Sequence, residues 1–362
     1  DRGSVHLRRL LLVIGELLGN PWFVPYPAVK CCSNTSTIQE HQLPKTLNSL
    51  MKHLRDSGID INGSAQKRRL KNIGYYHGYK GYRFAGNAAN RLPLTDFSQV
   101  AALYDFDTQL KALFYPRVMS IETALKNYTL EAVIKDARSG VFEDIWRKSL
   151  TDYRSYTGRA YKNAWDRRQR LRGEIDGIIS YNHKSRDVIG HFRDADKDIP
   201  IWAIFEVMTL GNFGSFYDCL DRRVKTEIVR DLGMPTNLDS ELRLKDIIFA
   251  LKDFRNAIAH NGVVLDVRFQ SGSINTGVSQ LLKQETGVGK TDFTDITDYV
   301  VLLVYLMRRM GFTKTECKQL IAGYEAIVER YRAELPFNVF SRIIKTTARG
   351  KLSALRRFVS NG

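Results

Sequence analysis

Cysteine is scarce in this chain of 362 residues: Cys31, Cys32, Cys219 and Cys317 are the whole complement, and none stands in CxxC spacing. That excludes a zinc ribbon and a dense disulfide scaffold, and makes a reducing cytoplasm the expected compartment. Long apolar runs are lacking too. The stretch from Leu10 to Leu18 is too short to span a bilayer and is broken by Gly15 and Glu16, so no membrane partner is expected. No repeat of fixed period is present, and neither HExxH nor GxSxG occurs. Gly287-Val288-Gly289-Lys290-Thr291 has the tail of a phosphate-binding loop but not its spacing. No carboxylates or histidines fall at ligand spacing, so neither metal nor cofactor is expected. Acids are in deficit, with 39 Asp and Glu against 55 Lys and Arg, a net charge of +16. A polyanion relieves that self-repulsion, and nucleic acid is the commonest.

What is present suits an ordinary globular protein: 43% hydrophobic and 26% charged residues, enough to bury a core without disulfides or metals. Residues 1–43 differ from the rest. They begin with Asp, precede the first Met at Met51, and carry Pro21, Pro25 and Pro27. They read as a leader or flexible extension outside the fold, with Arg8 and Arg9 giving only a trace of a signal peptide. From Leu43 onward the pattern is helical. Leu47, Leu50, Met51 and Leu54 have the spacing of an amphipathic helix, and residues 95–134, 240–260, 295–311 and 314–334 repeat it at greater length. Val263 to Phe269 alternates apolar and polar, which predicts a short strand or β-hairpin. The expected fold class is an all-α bundle with an N-terminal helical and aromatic-loop region. Its parts are 44–150, a basic insertion or helical hairpin over 151–196, a second helical part over 197–335, and a basic C-terminal tail over 336–362.

The positive charge is concentrated. Residues 45–83 hold nine Lys and Arg against two acids, 154–172 hold seven against one, and 341–362 hold six and no acid. In the first two clusters aromatic residues lie among the cations: Tyr75, Tyr76, Tyr79 and Tyr82, then Tyr156, Tyr161 and Trp165. Cations meet phosphates and rings stack on unpaired bases, a combination suited to single-stranded RNA. The candidate RNA-binding residues are Lys67, Arg68, Arg69, Lys80, Arg83, Arg159, Lys162, Arg167, Arg168, Arg170 and Arg172. Solvated helix faces are the plainer reading of such clusters.

The clearest helix runs from Glu241 to Gly262, with Asp239 or Ser240 as its N-cap and Asn261-Gly262 as its stop. Leu244, Ile247, Ile248, Leu251, Phe254 and Ile258 form its apolar face. Asn256 and His260 share the polar side, and Arg255 flanks the apolar stripe, semi-buried, where its charge needs an anion. Glu122 is the candidate partner. An Arg ahead of a His is uninformative alone, and Arg186/His191 is a second such pair, but that one contains Gly190 and has no apolar face around it.

Arg255-Asn256-Ala257-Ile258-Ala259-His260 resembles the RNxxxH signature of HEPN-domain ribonucleases. Four further blocks resemble the Abi-like, or abortive infection, family. They are Leu70-x-x-Ile73-Gly74-Tyr75-Tyr76 with Gly81-Tyr82 and Phe84, then Leu103-Tyr104-x-Phe106-Asp107-x-x-Leu110, then Ile121-Glu122. Trp202-Ala203-x-Phe205-Glu206 follows, with Gly211-x-Phe213-Gly214 and Phe216-Tyr217. The blocks arrive in family order over about residues 45–270. The chain departs from the pattern at His77 and Lys126, neither expected to touch the chemistry. The resemblance implies a HEPN-type helical bundle and a metal-independent endoribonuclease acting in phage defence or as the toxin of a toxin–antitoxin pair. Arg255, Asn256 and His260 become the catalytic residues, Glu122 a supporting one. His provides proton transfer near working pH, and a fixed guanidinium stabilises the phosphorane. One His serves attack and departure poorly, so the resemblance implies a homodimer with a composite site, and an RNA or protein antitoxin as a further partner. The rival readings are a non-catalytic protein that holds a regulatory RNA, and an inactive HEPN interaction module.

Overall fold

The computed structural model describes residues 46–184 and 187–361. The leader expected over residues 1–43, with its Cys31 and Cys32, lies outside them. The described residues form fifteen α-helices and three short 3-10 segments. The first half holds α1 (Leu47–Asp56), α2 (Gly63–His77), α3 (Phe97–Ala137), α4 (Phe142–Lys148), α5 (Gly158–Asn182), α6 (Asp187–Asp194) and α7 (Ile201–Val207). Then follow α8 (Leu210–Cys219), α9 (Arg222–Asp231), α10 (Ser240–Ala259), α11 (Thr276–Thr286), α12 (Thr297–Arg309), α13 (Lys314–Glu334), α14 (Phe337–Phe340) and α15 (Ala348–Asn361). The fold class is all-α.

The axis of the assembly is α3, 41 residues long. Val100, Leu103, Phe106, Leu110, Phe114, Val118, Ile121 and Leu125 line its buried face, with the 3–4 spacing that gives one helix a continuous apolar stripe. Pro116 sits inside α3, where a missing N–H normally costs a helix about 3 kcal/mol. Burial along both flanks outweighs that cost. Helices α9, α10 and α13 pack along α3, and α10 packs in turn on α8 and α9. Gly214 on α8 permits the close approach: a Cβ there would lie 3.1 Å from the Phe249 ring. Every residue from Thr297 to Met307 on α12 is buried, as expected of a helix apolar all round. A capping box of Thr313 and Glu316 starts α13.

Three sequence expectations change. Val263 to Phe269 forms no strand: the N–H groups of Val264 and Leu265 are donated to the Asp107 carboxylate rather than to a neighbouring strand, and Val267 has φ of 58°. Asp239 is the N-cap residue of α10, as expected, but it stands in a left-handed conformation (φ 49°) and its side chain makes no capping hydrogen bond. The basic C-terminal segment is not a free tail. Helix α15 packs on α12 and α13 through Leu352, Leu355 and Val359, and buried Lys351 pairs with Asp298 and, at 3.4 Å, with Asp295.

Candidate functional site

Helix α10 delivers Arg255, Asn256 and His260 to the middle of α3, between Lys111 and Glu122. Phe254 anchors the last turns of α10 in an aromatic cluster, its ring centroid 5.3 Å from Phe114 and Phe269 and 4.7 Å from Tyr299. The next residue, Arg255, cannot turn fully outward. Its Nε donates to Glu122 Oε2 at 3.2 Å, and the Glu122 side chain is only 6% exposed. Lys126, one turn along α3, reaches Glu122 Oε1 at 3.1 Å and donates to the Met208 carbonyl at 2.7 Å. Glu122 therefore holds two cations, as a buried carboxylate requires.

The Arg255 side chain is 26% exposed. Glu122 occupies its Nε edge, Nη1 makes a long contact of 3.4 Å to Asn256 Oδ1, and among the described residues Nη2 meets no acceptor. The outer edge of the fork is thus open to an incoming anion. Asn256 and His260 are exposed. His260 ends the helix, its N–H donated to the Asn256 carbonyl at 2.9 Å. Among the described residues no group of three His, Cys, Asp or Glu side chains gathers as a metal site.

Beside His260 stands a buried network that the residue pattern did not reveal. Asp107 is fully buried. Its Oδ1 accepts the N–H groups of Val264 at 2.7 Å and Leu265 at 2.9 Å, and its Oδ2 accepts Tyr82 Oη at 3.2 Å and Lys111 Nζ at 2.8 Å. The carboxylate thereby clamps the chain just after α10. Burial, with Asp107 behind it, pushes the Tyr82 phenol far above its ordinary value. Asn261, at φ of 54°, receives Lys111 Nζ on its Oδ1 at 2.6 Å and faces His77 Nε2 at 3.3 Å. Of the two departures from the family pattern, His77 therefore meets the turn after α10 directly, and Lys126 reaches Arg255 through Glu122. The available signal was Asp107 and Lys111 themselves, two charges on the apolar face of α3.

The proposed RNA contacts divide. Arg68, Lys80, Arg159, Lys162, Arg167 and Arg170 are exposed, and Lys67 and Arg83 are half-buried. Arg167 and Arg170 line an open groove of about 550 Å³ with Tyr156 and Asn163. Arg168 and Arg172 do not present a free surface. Arg168 donates to the Thr151 carbonyl at 3.0 Å and lies over the Trp146 ring, and Arg172 pairs with Glu143 at 2.7 Å and Asp176 at 3.1 Å. Apolar rings under α5 and nearby acids draw both inward. Arg69 is likewise paired with Asp105. Tyr79 and Tyr82 are core residues, whereas Tyr76, Tyr156, Tyr161 and Trp165 are exposed.

A model of the Abi-like protein family matches residues 68–266, more than half of the chain. The chain belongs to the Abi-like protein family. No curated protein and no solved structure matches it. The Abi-like match spans the α2 to α10 frame, so it contains Glu122, the Asp107 clamp and the Arg255–His260 segment together. Membership suggests a part in abortive infection, the defence of a bacterium against phage, and is compatible with a nuclease. No described helix of this Abi-like chain is long and apolar enough to cross a membrane.

Proposed function

We propose that this protein is a HEPN-type endoribonuclease that cleaves RNA in abortive infection or as a toxin. The observation that carries this reading is the asymmetry of Arg255: its inner edge is fixed by a buried carboxylate, its outer edge is open, and exposed Asn256 and His260 lie beside it on the same helix end. A guanidinium held in that way offers two parallel N–H donors to a phosphate without first being ordered. The 2′-hydroxyl of the RNA attacks its own phosphate, the 5′-oxygen departs, and a 2′,3′-cyclic phosphate remains. His260 moves the proton at one of the two oxygens, and Arg255 balances the charge that builds on the phosphorane. Asn256 orients the phosphate or the imidazole. A second copy of the chain supplies the other imidazole in a composite site, which the exposure of His260 permits. The reaction so written needs no metal.

The test is cleavage of single-stranded RNA by wild type, His260→Ala and Arg255→Ala, with and without EDTA. Wild type is expected to cut in EDTA and leave cyclic phosphate ends. His260→Ala is expected to lose cleavage and growth arrest together while keeping the wild-type melting temperature, since its exposed ring makes few core contacts. A folded His260→Ala protein that still cuts, or a wild type that cuts only with Mg²⁺, overturns the proposal.

A further inference from the structure

The turn that follows His260 is tethered by a chain of hydrogen bonds whose polarity is forced. It starts at fully buried Asp107, which pairs with Lys111 at 2.8 Å. The Lys111 ammonium can only donate, so the oxygen it meets at 2.6 Å is the Asn261 carbonyl oxygen. The Asn261 amide nitrogen then faces His77 Nε2 at 3.3 Å. An NH₂ group has no lone pair to offer a donor, so Nε2 must be the acceptor and the ring proton sits on Nδ1. Nδ1 is buried and meets no hydrogen-bond partner among the described residues. That tautomer is the neutral one.

We propose that neutral His77 is a positioning residue for the candidate site: by accepting from Asn261 it holds the left-handed turn that ends α10 behind His260, and protonation of its ring releases that turn. This inference rests on the ribonuclease reading for its effect on rate, though not for its structural part. Protonated His77 would aim an N–H at the Asn261 NH₂ group and place a second cation near Lys111. The groups facing the ring are Tyr76, Tyr82 and Tyr104, with centroids at 5.0, 6.2 and 5.8 Å, together with Asn261, Lys111 and Asp107. Burial and the Lys111 charge lower the imidazole below its ordinary 6.5, against a smaller opposing pull from Asp107. The tether is therefore intact at neutral pH and lost on acidification. Asn261 tolerates its φ of 54° better than most residues, but the Gly262 N–H that closes the turn on the Ala257 carbonyl at 2.7 Å depends on it.

The experiment uses the full chain labelled with ¹⁵N in its histidine rings, compared with His77→Gln, whose amide oxygen is an acceptor that does not titrate. Ring spectra are expected to show His77 as the Nδ1–H tautomer with a midpoint below 6.5, rising in Lys111→Met. Between about pH 7.5 and pH 5.5, wild-type cleavage is expected to fall about fivefold further than that of His77→Gln, the size of one neutral hydrogen bond. An Nε2–H tautomer, a midpoint at or above 6.5, or a wild-type to His77→Gln rate ratio that does not change with pH overturns the inference. A wild type that cuts no RNA at any pH fails the ribonuclease reading instead. Amide exchange at Gly262 then decides the structural part: it is expected to accelerate on acidification in wild type relative to His77→Gln, and equal pH dependence in the two proteins refutes the tether.

Discussion

Replacing Glu122 with Gln tests whether the buried carboxylate is what aims Arg255. The substitution keeps shape and volume but removes the charge that Arg255 and Lys126 share at 3.2 and 3.1 Å. Removing one partner of a fully buried pair costs about 3–5 kcal/mol, because the remaining charge is left uncompensated. Here the Arg255 and Lys126 side chains retain 26% and 14% exposure, and the amide oxygen can still accept one donor. The expected loss is therefore smaller, about 2–3 kcal/mol, or roughly 4–6 °C in melting temperature for a domain of this size. Arg255→Met alone should cost about 1 kcal/mol, since Glu122 keeps Lys126. The double variant should be less destabilised than the sum of the singles by about 1–2 kcal/mol, because the two changes remove the same ion pair. Chemical denaturation measures the cycle, and RNA cleavage is read on the same samples. Glu122→Gln is expected to cut about 10²-fold more slowly, the penalty for a misplaced charged group. Additivity within about 0.5 kcal/mol together with wild-type cleavage would refute the idea that Glu122 positions Arg255.

Two further outcomes follow from the charged surfaces. Changing Arg159, Lys162 and Arg170 on α5 to Glu is expected to weaken RNA binding and flatten the dependence of log K on log salt by about 0.7 for each phosphate that the protein no longer neutralises. Arg168 and Arg172 are left in place because they hold α5 to the fold, and an unchanged affinity and slope would make α5 a solvated face only. The buried Asp298 carboxyl is pushed up to about 6, first by burial and then by neighbouring Asp295, although Lys351 pulls the other way. The folded state holds that proton more tightly than the unfolded chain, whose value is 3.8, so this group's contribution to stability falls as pH rises between those values and then levels. Melting temperatures across that range, compared with Asp298→Asn, check it. A difference between the two proteins that does not decline with pH contradicts the sign.

Much of the scaffold was legible because helical period and burial coincide. The stripe on α3 and the apolar face of α10 follow from residue spacing alone. The pairing of Arg255 with Glu122 was also legible, since a semi-buried Arg demands an anion and Glu122 was the candidate named for it. What spacing does not carry is which charges turn inward. Arg168 and Arg167 are adjacent on α5 and identical in type, yet one is bound to backbone carbonyls over an aromatic floor and the other is exposed. Nothing local separates them, because the floor comes from Trp146 on α4 and Tyr153 in the 3-10 segment after it. Val263 to Phe269 shows the same limit. Its alternation is real, but the partner for its N–H groups is a side chain 157 residues away rather than a strand.

The α10 terminus gains its order from that long-range partner. A helix end leaves its last carbonyls unpaired and frays readily, which would serve a site poorly that must hold a guanidinium and an imidazole in fixed relation. Here two buried carboxylates on α3, Glu122 and Asp107, four turns apart along one face, grip the terminus from both sides. Glu122 holds Arg255 before His260, and Asp107 holds Val264 and Leu265 after it. The cations that neutralise them, Lys126 and Lys111, each donate a remaining hydrogen to a neighbouring segment, at the Met208 carbonyl and at Asn261. Lys126 thus fixes backbone at Met208, and Asp107 fixes it at Val264 and Leu265. That arrangement explains why ions are tolerated in the core of α3: replaced by apolar side chains, they would leave the α10 end and its open guanidinium free to move.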